Sequence, residues 1–82
     1  MMPNERKLRD AFIAALGVAP DAAVETFTYR GVKEWDSVAH MQLIAGIEAA
    51  FDIMLDTADV LGMSSYAIAR TIVVRHGVDI EA

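Results

Sequence analysis

The chain has 82 residues, the length of one small domain, and too few to build the walls of a deep catalytic cleft. Hydrophobic residues make up 55% of it and charged residues 23%, a balance that excludes general disorder and favours a packed core. The formal net charge of −5 disfavours nucleic acid and anionic membrane surfaces as partners. We therefore expect one domain over residues 1–82, with basic proteins as its partners.

The chain contains no cysteine, which excludes disulfides, thiolate metal ligands and a thiol nucleophile of its own. Two histidines, His40 and His76, are too few for a metal site without cysteine, so no bound metal is predicted. No segment approaches the roughly 20 apolar residues that span a bilayer. The uncharged run from Ala11 to Pro20 follows the acids Glu5 and Asp10 instead of a basic leader, which favours a cytoplasmic protein over a secreted one.

The first predicted helix begins near Pro3 and ends at Gly17, with Pro20 just beyond it. Its apolar residues recur at helical spacing on one face: Leu8, Ala11, Phe12, Ala15 and Leu16. A long loop is predicted from Val18 to Trp35, with a hidden helical turn near Ala22 to Val24.

The second predicted helix runs from Asp36 to Phe51, and its broad apolar face holds Leu43, Ile44, Ile47, Ala50 and Phe51. Gly46 in its interior costs about 1 kcal/mol relative to alanine, and a close contact with another helix or with a partner is one explanation for it. Aspartate and serine are strongly preferred at the start of a helix, so Asp36 and Ser37 can be interpreted as ordinary capping residues.

A short third helix is predicted to begin at Asp56 or Thr57 and to end near Leu61, where Gly62 adopts the left-handed conformation. Ser64 or Ser65 caps the fourth helix, which Gly77 ends, and its inner face holds Ala69, Ile72, Val73 and His76. The fold class is therefore all-α, a four-helix bundle with three longer helices, a short third helix and a long first loop. We expect it to be a monomer.

The segment Glu34-Trp35-Asp36-Ser37-Val38, followed by a helix that ends Ile47-Glu48-Ala49-Ala50-Phe51, resembles the attachment site of acyl carrier proteins, which is built on Asp-Ser-Leu. The resemblance implies that Ser37 is esterified with 4′-phosphopantetheine, whose thiol carries acyl groups as thioesters. Asp36 matches the acid of that motif, as a cap and a contact for the transferase. The implied partners are a phosphopantetheinyl transferase that supplies magnesium, acyl- or aminoacyl-loading ligases, and acyl-transferring enzymes.

Two residues depart from the family pattern: Trp35 stands where glycine is usual and Val38 where leucine is usual. Trp35 is interpreted either as a hydrophobic staple on the first turn of the helix or as part of a partner surface. These departures, and the few acids along the helix, favour a specialised lipid, polyketide or related pathway that relies on apolar fit. The predicted partner-binding residues are Trp35, Val38, Met41, Gln42, Ala45 and Glu48.

Two alternatives remain open: a peptidyl or aminoacyl carrier, whose motif usually resembles Gly-Gly-His-Ser-Leu, and an unmodified helical interaction module. An enzyme is not expected, because no nucleophile, base and orienting group can be assembled from these residues. His40 is interpreted as a solvated or partly packed helix residue, and His76 as a favourable charge near a helix end. The methionines Met41, Met54 and Met63 are interpreted as core residues, with an acyl-sheltering tunnel as the alternative.

Overall fold

The computed structural model describes residues 3–80, in which four α-helices follow one another along the chain. They are α1 (Pro3–Leu16), α2 (Ser37–Phe51), α3 (Thr57–Gly62) and α4 (Tyr66–Arg75). This range contains no strand, only an isolated antiparallel bridge between Thr28 and Ser65. The prediction of an all-helical chain with a short third helix and a long first loop is therefore confirmed.

The helix ends follow the capping chemistry of the sequence. The Asp36 carboxylate accepts the Ala39 amide at 2.9 Å, and the Ser65 hydroxyl accepts the Ile68 amide at 3.1 Å. Asp56 caps α3 and forms a reciprocal capping box with Asp59. Of the residues named as alternatives, Asp36, Asp56 and Ser65 are the actual N-caps.

The left-handed conformation occurs at two of the three glycines predicted to end helices. Gly17 has φ of 66° and Gly77 has φ of 92°, whereas Gly62 is the last residue of α3 and has no positive φ. The prediction for Gly62 was wrong because the chain leaves α3 through Met63, whose side chain enters the core and is 1% exposed. That path needs no left-handed residue.

An aromatic cluster lies at the centre of the core, where α1 packs mainly against α2. Trp35 is fully buried and meets Phe12 edge to face with ring centroids 5.3 Å apart, and Phe12 meets Tyr66 at 5.0 Å. Gly46 lies opposite Ala11, since a Cβ at Gly46 would be 3.9 Å from the Ala11 Cβ. The expected contact of Gly46 with another helix is therefore present.

The long loop is held in place by backbone hydrogen bonds to the start of α4. A short 3₁₀ helix, Val24–Thr26, interrupts the loop two residues later than the predicted turn. The Tyr29 amide then donates to the Ser64 carbonyl at 2.8 Å, and the Arg30 amide donates to the Trp35 carbonyl at 3.0 Å. These bonds bring the loop back beside the first residue of α2.

Candidate attachment site at the start of α2

Ser37 is the first residue of α2, and its side chain is exposed. Asp36 precedes it in extended conformation, with φ of −98° and ψ of −173°, and turns its carboxylate onto the Ala39 amide. The predicted capping role of Asp36 is confirmed, whereas its contact with a transferase remains a prediction. The arrangement presents the Ser37 hydroxyl at the positive end of a 15-residue helix.

Tyr29 contacts Ser37 directly, and sequence reasoning missed it. Its phenolic oxygen lies 3.0 Å from the Ser37 Oγ. This hydrogen bond, together with the guanidinium of Arg30, holds the pKa of the Tyr29 phenol below its ordinary value. No periodicity connects a loop residue with a helix residue eight positions later, so only the folded path of the loop reveals the pair.

Trp35 lies inside the molecule and not on a partner surface, which corrects its assignment to the partner-binding residues. Its indole Nε1 donates to His40 Nδ1 at 3.0 Å, and the two rings meet edge to edge with planes 25° apart and centroids 6.0 Å apart. His40 is the fourth residue of α2, so the contact has the positions of a hydrophobic staple. The staple interpretation of Trp35 is confirmed, with His40 as its partner.

His40 is buried, with 9% of its surface exposed, so the alternative of a solvated histidine was wrong. Its Nε2 lies 2.8 Å from the carbonyl oxygen of Val60 in α3. The indole N–H of Trp35 can only donate and a carbonyl can only accept. His40 is therefore the neutral tautomer with its proton on Nε2, and it connects the loop to α3.

A cleft of about 200 Å³ lies between α2 and α3 and opens beside the candidate serine. Its lining is mainly apolar and consists of Tyr29, Ser37, His40, Met41, Val60, Leu61 and Met63. Met63 is buried as predicted, but Met41 is 59% exposed and Met54 is 85% exposed. The assignment of Met41 and Met54 to the core was wrong.

Four of the predicted partner-binding residues lie together around Ser37 and form a shallow apolar surface, the exposed α2 face: Val38, Met41, Gln42 and Ala45. Val38 is 68% exposed there. Glu48 is half-buried, and its carboxylate accepts the Leu55 amide at 2.8 Å. Glu48 therefore holds the link between α2 and α3 and does not line the exposed α2 face.

Asp59 ties α3 to the end of α4. Its carboxylate accepts from His76 Nε2 at 2.7 Å and pairs with Arg75 at 3.2 Å. The hydrogen bond from His76 holds the pKa of Asp59 below its usual 3.8, against the effect of burial. His76 has thus a specific structural partner in addition to its place at a helix end.

No helix within residues 3–80 is long and apolar enough to cross a membrane. The same residues bring together no group of three or more histidine, aspartate and glutamate side chains suited to a metal ion. Comparisons with protein-family models, with curated proteins and with solved structures found no match to the chain.

Proposed function

We propose that the chain is an acyl carrier protein whose Ser37 is esterified with 4′-phosphopantetheine by a separate phosphopantetheinyl transferase. The observation that carries the proposal is an exposed serine hydroxyl at the first position of α2, directly beside the exposed α2 face. The thiol of the arm would supply the acyl attachment point that this cysteine-free chain lacks. We place the carrier in the cytoplasm, as a monomer.

The residues around Ser37 fit a covalently attached phosphodiester. The Asp36 carboxylate accepts the Ala39 amide, but the amides of Ser37 and Val38 precede the first hydrogen bond within the helix. Such amides favour a phosphate. The Tyr29 hydroxyl lies within hydrogen-bond distance of the attachment oxygen. The cleft and the exposed α2 face both begin at Ser37, so the arm has room on two sides.

Attachment forms a bond between the Ser37 Oγ and the phosphorus of coenzyme A that bears the pantetheine. The bond from that phosphorus to the bridging oxygen of the pyrophosphate breaks, and adenosine 3′,5′-bisphosphate leaves with the electron pair. The Oγ proton passes to a base of the transferase. This chain supplies the positioned hydroxyl and the docking surface.

The partners follow from the same surface. A transferase, an acyl-loading ligase and acyl-transferring enzymes would each dock on the exposed α2 face, where Val38 and Met41 offer apolar contact. The alternative cargo is an aminoacyl or peptidyl group, loaded by a different ligase onto the same thiol. The acyl cargo would belong to lipid, polyketide or related biosynthesis.

The test is incubation with coenzyme A, magnesium and a broad-specificity phosphopantetheinyl transferase, read by intact mass. The wild type is expected to gain one phosphopantetheine, and Ser37→Ala none. Ser65→Ala is the matched control, since Ser65 also sits at a helix start but caps α4 with its hydroxyl. Gain by both the wild type and Ser37→Ala would place the arm on another serine.

A second candidate is an unmodified interaction module, favoured by the large exposed fractions of Val38 and Met41. It predicts an inert Ser37. No mass gain by the wild type, with a transferase active on a control carrier, would favour this module over the carrier.

A further inference from the structure

Tyr29 is fixed beside Ser37 by contacts that do not involve Ser37. Its amide donates to the Ser64 carbonyl at 2.8 Å. Its ring packs against His40 with centroids 4.9 Å apart and meets the ring of Trp35 at 6.2 Å. These contacts position the Tyr29 ring independently of its hydrogen bond to Ser37.

Esterification decides which oxygen donates in this hydrogen bond. In the unmodified chain either hydroxyl can donate across the 3.0 Å between Tyr29 and Ser37. A phosphodiester on Ser37 has no hydrogen on Oγ, and its phosphoryl oxygens only accept. Tyr29 is then the donor, and a hydrogen bond to an ionised acceptor is about twice as strong as a neutral one.

The charge near the phenol also suits an anion. The guanidinium carbon of Arg30 lies 5.7 Å from the centre of the Tyr29 ring. Asp36, which precedes Ser37, acts in the opposite direction and raises the pKa of Tyr29, but its effect is smaller than those of Ser37 and Arg30, which lower it. An arm phosphate beside Tyr29 therefore meets a donor and a cation.

We infer that Tyr29 positions the arm: its hydroxyl donates to the phosphodiester on Ser37 and holds the first atoms of the arm toward α3. This inference rests on the proposed function. Tyr29 forms part of the cleft lining together with Val60 and Leu61 of α3, whereas Val38, Gln42 and Ala45 line the exposed α2 face and not the cleft. Ser37 and Met41 line both. Holding the phosphate on the cleft side leaves the exposed α2 face free for partner enzymes.

The first experiment titrates the two tyrosines by NMR in protein labelled with ¹³C at the phenolic carbon, before and after modification. The pKa of Tyr29 is expected to rise on modification, because a phosphate that accepts from the phenol favours its neutral form. Ser37 also loses the proton that it could donate to a phenolate. Tyr66 is the internal reference: burial and its hydrogen bond to Glu5 raise its pKa well above the ordinary value, so its resonance is expected to stay constant while Tyr29 titrates.

The second experiment records the ³¹P resonance of the modified protein for the wild type, Tyr29→Phe and Tyr66→Phe. Tyr29→Phe removes one oxygen and is expected to shift and narrow the resonance, because the phosphate loses its donor and moves more freely. Tyr66→Phe removes the same oxygen elsewhere and is expected to leave the resonance unchanged. Intact mass verifies loading, and thermal unfolding verifies that each variant is folded.

The outcomes separate this inference from the proposed function. If the wild type takes up no phosphopantetheine, both are overturned. If all three proteins are modified, an unchanged Tyr29 pKa or an identical ³¹P resonance in Tyr29→Phe overturns the role of Tyr29 alone. The chain would then remain a carrier whose arm Tyr29 does not position.

Discussion

His40 is the residue whose side chain joins three parts of the molecule that lie apart in sequence. It accepts from Trp35, which ends the loop, and donates to Val60 in α3. Within residues 3–80, the indole N–H of Trp35 has no other acceptor, and the carbonyl of Val60 accepts from no other side chain. Replacing His40 with an apolar residue therefore leaves a buried donor and a part-buried acceptor unsatisfied.

We expect His40→Leu to lower the free energy of unfolding by about 2 kcal/mol, the typical cost of leaving buried polar groups without partners. Urea denaturation followed by the fluorescence of Trp35, the chain's one tryptophan, measures it. Gln42→Leu is the matched control, because Gln42 is exposed on the same helix and should change stability by less than about 0.5 kcal/mol. Equal stability of the two variants would contradict the structural role of His40.

Adjacent residues were predictable at the candidate site, and distant ones were not. The Asp36 cap and the Ser37 position follow from local capping preferences that any helix start shares. The pairing of Tyr29 with Ser37 depends on a hydrogen bond between the loop and the start of α4, which leaves no pattern in the sequence. Trp35 was ambiguous because an apolar residue before a helix can face either the core or a partner.

At the scale of the helices, the glycines differ in what they do, and this difference is testable. Gly46 lies inside α2, where a Cβ would make an ordinary contact with Ala11 at 3.9 Å. We expect Gly46→Ala to raise the free energy of unfolding by about 1 kcal/mol, because alanine loses less backbone entropy in a helix. Thermal unfolding measures this effect.

Gly77 is the opposite case and provides the comparison for Gly46. Its φ of 92° is a conformation that L residues rarely adopt, although a Cβ there would meet nothing within 4 Å. Gly77→Ala is expected to destabilise the chain by about 1 kcal/mol through backbone strain alone. Stabilisation by both substitutions would show that Gly77 leaves this conformation at little cost.

The attachment of α3 to α4 through Asp59 predicts a dependence of stability on pH. The hydrogen bond from His76 lowers the pKa of Asp59, so the folded state binds fewer protons than the unfolded state in acid. The stabilisation is therefore complete above the usual value of 3.8 and is lost as the pH falls through the lower folded value. Asp59→Asn should lower the urea midpoint clearly at neutral pH and less at about pH 3.

The control for Asp59 is Asp52→Asn, which removes one carboxylate at an exposed position. Asp52 has φ of 54°, a left-handed conformation that asparagine also tolerates. The urea midpoint of Asp52→Asn should differ from that of the wild type by the same small amount at neutral pH and in acid. A constant difference between Asp59→Asn and the wild type at all pH values would mean that packing, and not the ionised carboxylate, holds α3.

Helix existence was more predictable than helix endings. The apolar periodicity of α1 and α2 and the caps of α3 and α4 predicted all four helices. The end of α3 was missed because burial of Met63 directs the chain there, and burial depends on the other helices. Met41 and Met54 were misassigned for the same reason, since a methionine fits a core and a surface equally well.

At the scale of the whole molecule, charge and apolar surface make different predictions for docking. The chain carries a net charge of −5, but Glu48 is the single carboxylate within α2 and is bonded to the Leu55 amide. The exposed α2 face itself is uncharged. Partner docking on this face should therefore depend more on apolar contact than on electrostatic attraction.

We expect Met41→Ser to raise the KM of the phosphopantetheinyl transferase for this chain about fivefold, because an apolar contact worth about 1 kcal/mol is lost. Met54→Ser is the matched control, since Met54 is 85% exposed but lies outside the exposed α2 face, and its KM should stay at the wild-type value. Raising the salt concentration from about 50 mM to about 500 mM shortens the electrostatic screening length about threefold. This change should alter KM by less than about threefold. An unchanged KM for Met41→Ser together with a strong salt effect would mean that acids elsewhere on the molecule direct the docking.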